Sequence, residues 1–247
     1  MKSIGNPSSG ARKSHGVLLE LSIGGCEELM ELPCQILDSW APTIEYLELI
    51  ELRSLKNLPV LIDCLAKSSS HLKVLTILGV PKLMAASVGG IESWDLSSLK
   101  ILSIDVSVEW SREASVGIAE TVDGMLQRCC NSLHDLLFAG MENWEWFPQS
   151  IQYLTILQFL RLKNIGAEEL PQWLGNLSSL RELYLKSCNK LKRLPFVDAF
   201  KHLTKLKHLE IIDCPELHID SDWCSHHPQL EIKVDGQPVS TFLQARD

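Results

Sequence analysis

Aliphatic positions along this chain return in a fixed phrase, Leu-x-x-Leu-x-Leu-x-x-Cys-x-x-Leu. It is plainest at Leu180, Leu183, Leu185, Cys188 and Leu191, and again at Leu206, Leu209, Ile211, Cys214 and Leu217. Marking each copy by its third aliphatic position gives the series Ile23, Leu49, Ile77, Ile104, Phe138, Leu162, Leu185 and Ile211, with steps of 26, 28, 27, 34, 24, 23 and 26 residues. An aliphatic residue stands two places before each marker and another three places before that; in the first copy Leu18 and Leu19 compete for the earlier slot. A fixed phrase at this spacing describes a stack of small like units. The Leu-x-Leu alternation predicts a short strand with alternate side chains on opposite faces. The leucines then face inward, the residues between them face outward, and successive strands pair in parallel.

The slot three places after each marker closes the strand and turns the chain. Cys26, Cys188 and Cys214 fill it in three copies, Leu52, Val80, Met141 and Ile165 in four, and Ser107 in one. A cysteine among aliphatic equivalents is expected to be buried as a small hydrophobe. The second half of the unit repeats as well, in Leu32-Pro33, Leu58-Pro59, Phe147-Pro148, Leu170-Pro171 and Leu194-Pro195. Proline fixes φ and cannot donate a backbone hydrogen bond, so these pairs mark turns. The period fails once, between Ile104 and Phe138. There Val116, Ala119, Val122, Leu126 and Cys129 recur at helical spacing, with Ile118 and Met125 widening the stripe. This predicts a helix within 108–131, with Ser111 as N-cap and its apolar face against the coil. Gly117 and Gly124 weaken it.

The stretch Leu170-Pro-Gln-Trp-Leu-Gly-Asn-Leu-Ser-Ser-Leu-Arg-Glu-Leu-Tyr-Leu-Lys-Ser-Cys-Asn-Lys-Leu-Lys-Arg-Leu-Pro195 resembles the C-terminal leucine-rich repeats of plant intracellular disease-resistance proteins, the nucleotide-binding receptors with an N-terminal coiled coil. Leu206-Lys-His-Leu-Glu-Ile-Ile-Asp-Cys-Pro-Glu-Leu217 is similar to the same group. The fold that follows is α/β: a right-handed leucine-rich-repeat horseshoe, with a parallel sheet on the concave face and short helices, 3-10 turns and loops on the convex face. Eight repeats plus a terminal strand at Leu230, Ile232 and Val234 would occupy 17–235, between a polar tail at 1–16 and another at 236–247. Asp235-Gly236 turns the chain after that strand. A solenoid needs polar caps, and no apolar segment precedes Leu18, so the N-terminal side is expected to continue in a longer receptor.

Composition adds constraints. The chain has 247 residues, 45% of them apolar, and a net charge of −8. This fits a folded domain and opposes general attraction to phosphate backbones, so no nucleic-acid partner is expected. No apolar run reaches membrane-spanning length, and no signal peptide is evident in residues 1–16, so a cytoplasmic location without membrane association is expected. Asn176-Leu-Ser178 matches a glycosylation acceptor, which carries little weight in such a chain.

Residues with the makings of chemistry are sparse and poorly spaced. Gly5, Gly10, Lys13 and Ser14 mimic a phosphate loop, but Ala11 and Arg12 break the spacing and no strand precedes them. Cys214, His218, Cys224, His226 and His227 have metal-ligand side chains, yet Cys214 already belongs to a repeat slot. Cys129 and Cys130 lack a phrase marking a nucleophile, and read better as one buried and one outward thiol. Glu27-Glu28 and Glu168-Glu169 fall in turns. The expectation is a non-enzymatic protein with no cofactor and no metal.

The outward strand positions are therefore the candidate site. The third to fifth repeats present Val74, Leu78, Ile101 and Leu137; the sixth to the eighth present Phe159, Arg161, Lys163, Tyr184, Lys186 and Glu210. Aromatics beside arginine are the residues that dominate interface energetics. The expected partner is a protein with an acidic surface; the alternative is a mixed, solvated strand face whose positive charge Glu182 and Glu210 offset. The resemblance implies a pathogen effector or a host protein, or the receptor's own nucleotide-binding module. The rivals are a substrate adaptor without an immune role, and the repeat region of an enzyme.

Overall fold

The computed structural model describes residues 18–32, 41–55, 70–80, 95–107, 112–143, 146–195, 197–219 and 229–239. Pro33, Leu58-Pro59, Ser111, Cys224, His226, His227 and the expected N-terminal tail lie outside them. The chain forms two compact units, one of residues 1–103 with 108–129, the other of 104–107 with 130–247.

In the first unit, β1 (Glu20–Gly24), β2 (Tyr46–Ile50) and β3 (Val74–Leu78) pair in parallel. The start of β4 (Ile101–Asp105) follows, the amides of Lys100 and Ile101 donating to the Lys73 carbonyl at 2.8 and 3.0 Å. In the second unit, β5 (Asp135–Ala139), β6 (Phe159–Lys163), β7 (Glu182–Lys186), β8 (His208–Ile212) and β9 (Glu231–Val234) pair in parallel in chain order. Register partners are repeat equivalents: Ile23 faces Leu49, Leu49 faces Ile77, Leu162 faces Leu185 and Leu185 faces Ile211. This is the leucine-rich-repeat solenoid that the periodicity predicts.

The core is a stack of the inward positions. Leu47, Leu49, Leu75, Ile77, Leu102, Ile104, Leu136, Phe138, Leu160, Leu162, Leu183, Leu185, Leu209 and Ile211 are all buried, as are the leading Ile44, Leu99, Leu133, Leu157 and Leu180. Each contributes roughly 1.5–3 kcal/mol relative to exposure. β1 differs: Leu21 and Ile23 are only half-buried.

Two backbone devices recur. Two residues after the marker the chain turns through left-handed space, at Gly25, Glu51, Gly79, Asn164, Ser187 and Asp213. That turn aims the amide at the next coil, giving Gly25 to Ile50, Glu51 to Leu78, Asn164 to Lys186 and Ser187 to Ile212 carbonyl bonds of 2.8–3.1 Å; Gly140 bonds the Lys163 carbonyl at 2.8 Å without a positive φ. The cysteine slot follows, and each thiol donates back over the turn at 3.4 Å, Cys26 to Gly24, Cys188 to Lys186 and Cys214 to Ile212 carbonyl. Cys188 is buried, Cys214 partly so, and Cys26 is exposed, contrary to expectation. The first coil has only one described neighbour over it, so its slot stays open to solvent.

The long step holds α1 (Arg112–Arg128), as the stripe predicts, with Ile118, Val122, Met125, Leu126 and Cys129 buried along one face. Cys130 is partly exposed. The turn halves are short: 3-10 segments at Gln149–Tyr153 and Gln172–Asn176, each entered through a proline, and α2 (Val197–Phe200). Past β9, Asp235 and Gly236 adopt φ of 47° and 78°, and β10 (Gln237–Pro238) returns antiparallel on β9 with Val239 buried. Ordered pairing thus runs to Pro238, beyond the boundary expected at 235.

Candidate functional site

The outward face of the second unit carries three rows, set by the parallel register. The strand starts give Asp135, Phe159, Glu182, His208 and Glu231; the middle gives Leu137, Arg161, Tyr184, Glu210 and Lys233; the ends include Lys163, Lys186 and Ile212. Period-two alternation puts all of them opposite the buried leucines. An open groove of about 490 Å³ lies here. Phe159, Arg161, Lys163, Tyr184, Lys186 and Glu210 all line it, with Leu137 and Glu182. The structure therefore brings together all six of the candidate residues. A smaller groove of about 240 Å³ adjoins along Glu182, His208, Glu210, Glu231 and Lys233.

Two outward positions are covered instead of open. Thr76 and Ala139 are buried. Both side chains are short.

The charges on this face are unequal in freedom. Arg161 is engaged within the protein: its two terminal nitrogens donate to both carboxylate oxygens of Asp135 at 2.9 Å. Burial pushes the Asp135 carboxyl above its ordinary value, Arg161 draws it back down, and Glu182 adds to the rise. Desolvation wins because the Asp135 side chain is only 15% exposed whereas that of Arg161 is 43% exposed and shares its charge with solvent. Burial, with the Glu210 carboxylate second, raises the Tyr184 hydroxyl, so it remains a neutral donor. His208 Nδ1 and Lys233 Nζ each lie 2.9 Å from a Glu231 oxygen, one on either side of the carboxylate. Among the described residues, Lys163 and Lys186 have no ion-pair partner. The spacing of strands on the sequence finds this row, but it could not show that Asp135 takes Arg161.

Of the two acid pairs in the sequence, Glu168-Glu169 is engaged within the protein. Glu168 pairs with Lys192 at 2.9 Å and Glu169 pairs with Arg193, across a bridge between successive turn segments. Hydrogen bonding with Cys214, then burial, pushes the Cys188 thiol up, and the same hydrogen bond draws the Cys214 thiol down. Among the described residues no cluster of His, Cys, Asp and Glu could hold a metal, and no helix is long and apolar enough to cross a membrane.

Residues 151–214 match the family described as R13L1/DRL21 LRRs. That family is of the plant disease-resistance type, and the match covers this segment of the chain alone. An Arabidopsis thaliana protein whose name assigns it provisionally to disease resistance is 34% identical over 102 residues, 40% of this chain. The match spans 8% of that relative's length. Two solved structures share the leucine-rich-repeat fold without sharing much sequence. A leucine-rich-repeat protein of Leptospira interrogans is 20% identical with a TM-score of 0.51, over 84% of this chain and 55% of that one. TLR13, in its complex with ssRNA13, is 18% identical with a TM-score of 0.50, over 84% of this chain and 32% of that one.

Proposed function

We propose that this chain is the recognition region of a plant innate-immune receptor, acting in the cytoplasm, and that the groove along β5–β8 binds a protein. One coincidence carries the reading: nine of the ten groove residues, all but Leu137, fall within the segment 151–214 that matches the disease-resistance-type repeats. The Arabidopsis relative supports the immune setting. In this reading the groove takes a pathogen effector or a host protein. Without that ligand, the repeats restrain a nucleotide-binding switch carried elsewhere in a full-length receptor. In this reading the repeats bind a partner and do not catalyse. Sequencing the transcript upstream of Met1 tests this. An in-frame nucleotide-binding module is the expected result; an F-box or a catalytic domain there overturns it in favour of an adaptor or an enzyme.

A further inference from the structure

The three rows of the groove carry charge in a definite order along the strands. The strand starts are acidic, at Asp135, Glu182 and Glu231, and the strand ends are basic, at Lys163 and Lys186. Lys163 and Lys186 are register partners on neighbouring strands, and so sit about 4.8 Å apart at the backbone. Two ammonium groups held side by side repel each other. Among the described residues neither has a carboxylate to offset that, although Arg161, one row away, is neutralised by Asp135. Beside them the floor is aromatic and apolar, from Phe159, Tyr184 and Leu137.

We propose that the Lys163–Lys186 pair is a recognition site for adjacent carboxylates on a partner protein segment, whose apolar side chain seats on Phe159 and Tyr184. The proposal rests on reading the groove as a protein-binding surface, and it adds the chemistry and orientation of what binds. The acidic residues of the segment lie toward the strand ends, because Glu182 repels them at the other edge. An anionic nucleic acid would meet the same two lysines, but it would also meet Glu182, Glu210 and a net charge of −8.

The test is fluorescence anisotropy on the whole chain with two labelled peptides, Glu-Glu-Phe-Glu-Glu and its glutamine counterpart Gln-Gln-Phe-Gln-Gln, and a single-stranded RNA pentamer. The acidic peptide is expected to bind about tenfold more tightly than the neutral one, as two modest charge pairs would give. K163Q/K186Q should remove that preference without changing the melting temperature, since both side chains face solvent. A preference that survives in the double variant, or RNA binding tighter than the acidic peptide, overturns the proposal. Equal binding of both peptides, abolished for both by Leu137→Asp, leaves the groove as a binding surface and removes the acidic specificity. Binding indifferent to all these substitutions, or absent for every probe, removes both readings.

Discussion

After β1, β2, β3, β6, β7 and β8 a residue in left-handed space turns its amide toward the following coil. Glycine adopts that conformation freely, whereas other residues lose roughly 1–2 kcal/mol there. Gly79 has φ of 62°, and a Cβ placed on it would meet Glu51 atoms at an unstrained 3.5 Å. Gly79→Ala should therefore destabilise by about 1 kcal/mol through the backbone alone. Glu51 occupies the equivalent place with φ of 53°, so Glu51→Gly should shift the urea midpoint the opposite way. Equal signs for the two variants would refute a conformational origin. The buried acid Asp135 gives a second expectation. Its carboxyl holds its proton more tightly in the folded chain than its ordinary value of 3.8. Its stabilising contribution is complete below that value and is lost as pH rises through the raised folded one. Unfolding midpoints of the parent and of Asp135→Asn, compared at intervals above pH 4, should show a downward slope with pH that the variant lacks. A parent chain that instead gains stability from Asp135 over that window would show that Arg161, not burial, dominates.

At the scale of elements, strands are the legible part and turns the less legible. Each strand is set by its own Leu-x-Leu phrase, and tertiary contacts only confirm it: all of β2 to β8 begin three places before their marker and end one after. α1 was equally readable, since five of its stripe positions are buried on one face. The six groove residues followed from the same alternation. What the alternation does not carry is which charges are spent within the protein, because the Arg161–Asp135 pair joins different strands through rotamers, and rotamers leave no periodic trace. The final hairpin had a signal that register alone passes over: Asp-Gly is the preferred pair where two successive residues need positive φ. There the Asp235 carboxylate accepts the Asp213 amide at 2.9 Å, standing in for the carbonyl that another coil would offer. Turn segments also pack more tightly than the sequence suggests. A Cβ on Gly175, in the segment 172–176, would run into the backbone carbonyl of Ala199 in α2. Backbone cannot swing aside as a side chain does, so Gly175→Ala should cost about 1–3 kcal/mol as an overpacked site. An unchanged midpoint in guanidinium would mean that α2 detaches from that segment at no cost.

Across the whole molecule, a stack differs from a compact domain in how far a defect travels. Each rung pairs only with its two neighbours, as β7 does with β6 and β8. Stability is then close to a sum of rung terms and nearest-neighbour terms. Leu185 is fully buried at the centre of β7. Leu185→Ala removes its contacts and should cost roughly 2–5 kcal/mol. In a globular core that loss would be felt by every strand. Here it should fall first on the amides that cross to or from β7, such as Asn164 to Lys186 and Ser187 to Ile212. Native-state hydrogen exchange should show those amides and the ladders of β6 and β8 losing protection by most of the measured destabilisation. The β2–β3 ladder, which shares no rung with β7, should keep its protection almost unchanged. If protection instead fell evenly from β2 to β9, the molecule would be unfolding as a single cooperative body. Distant substitutions would then disturb the groove as readily as those that line it.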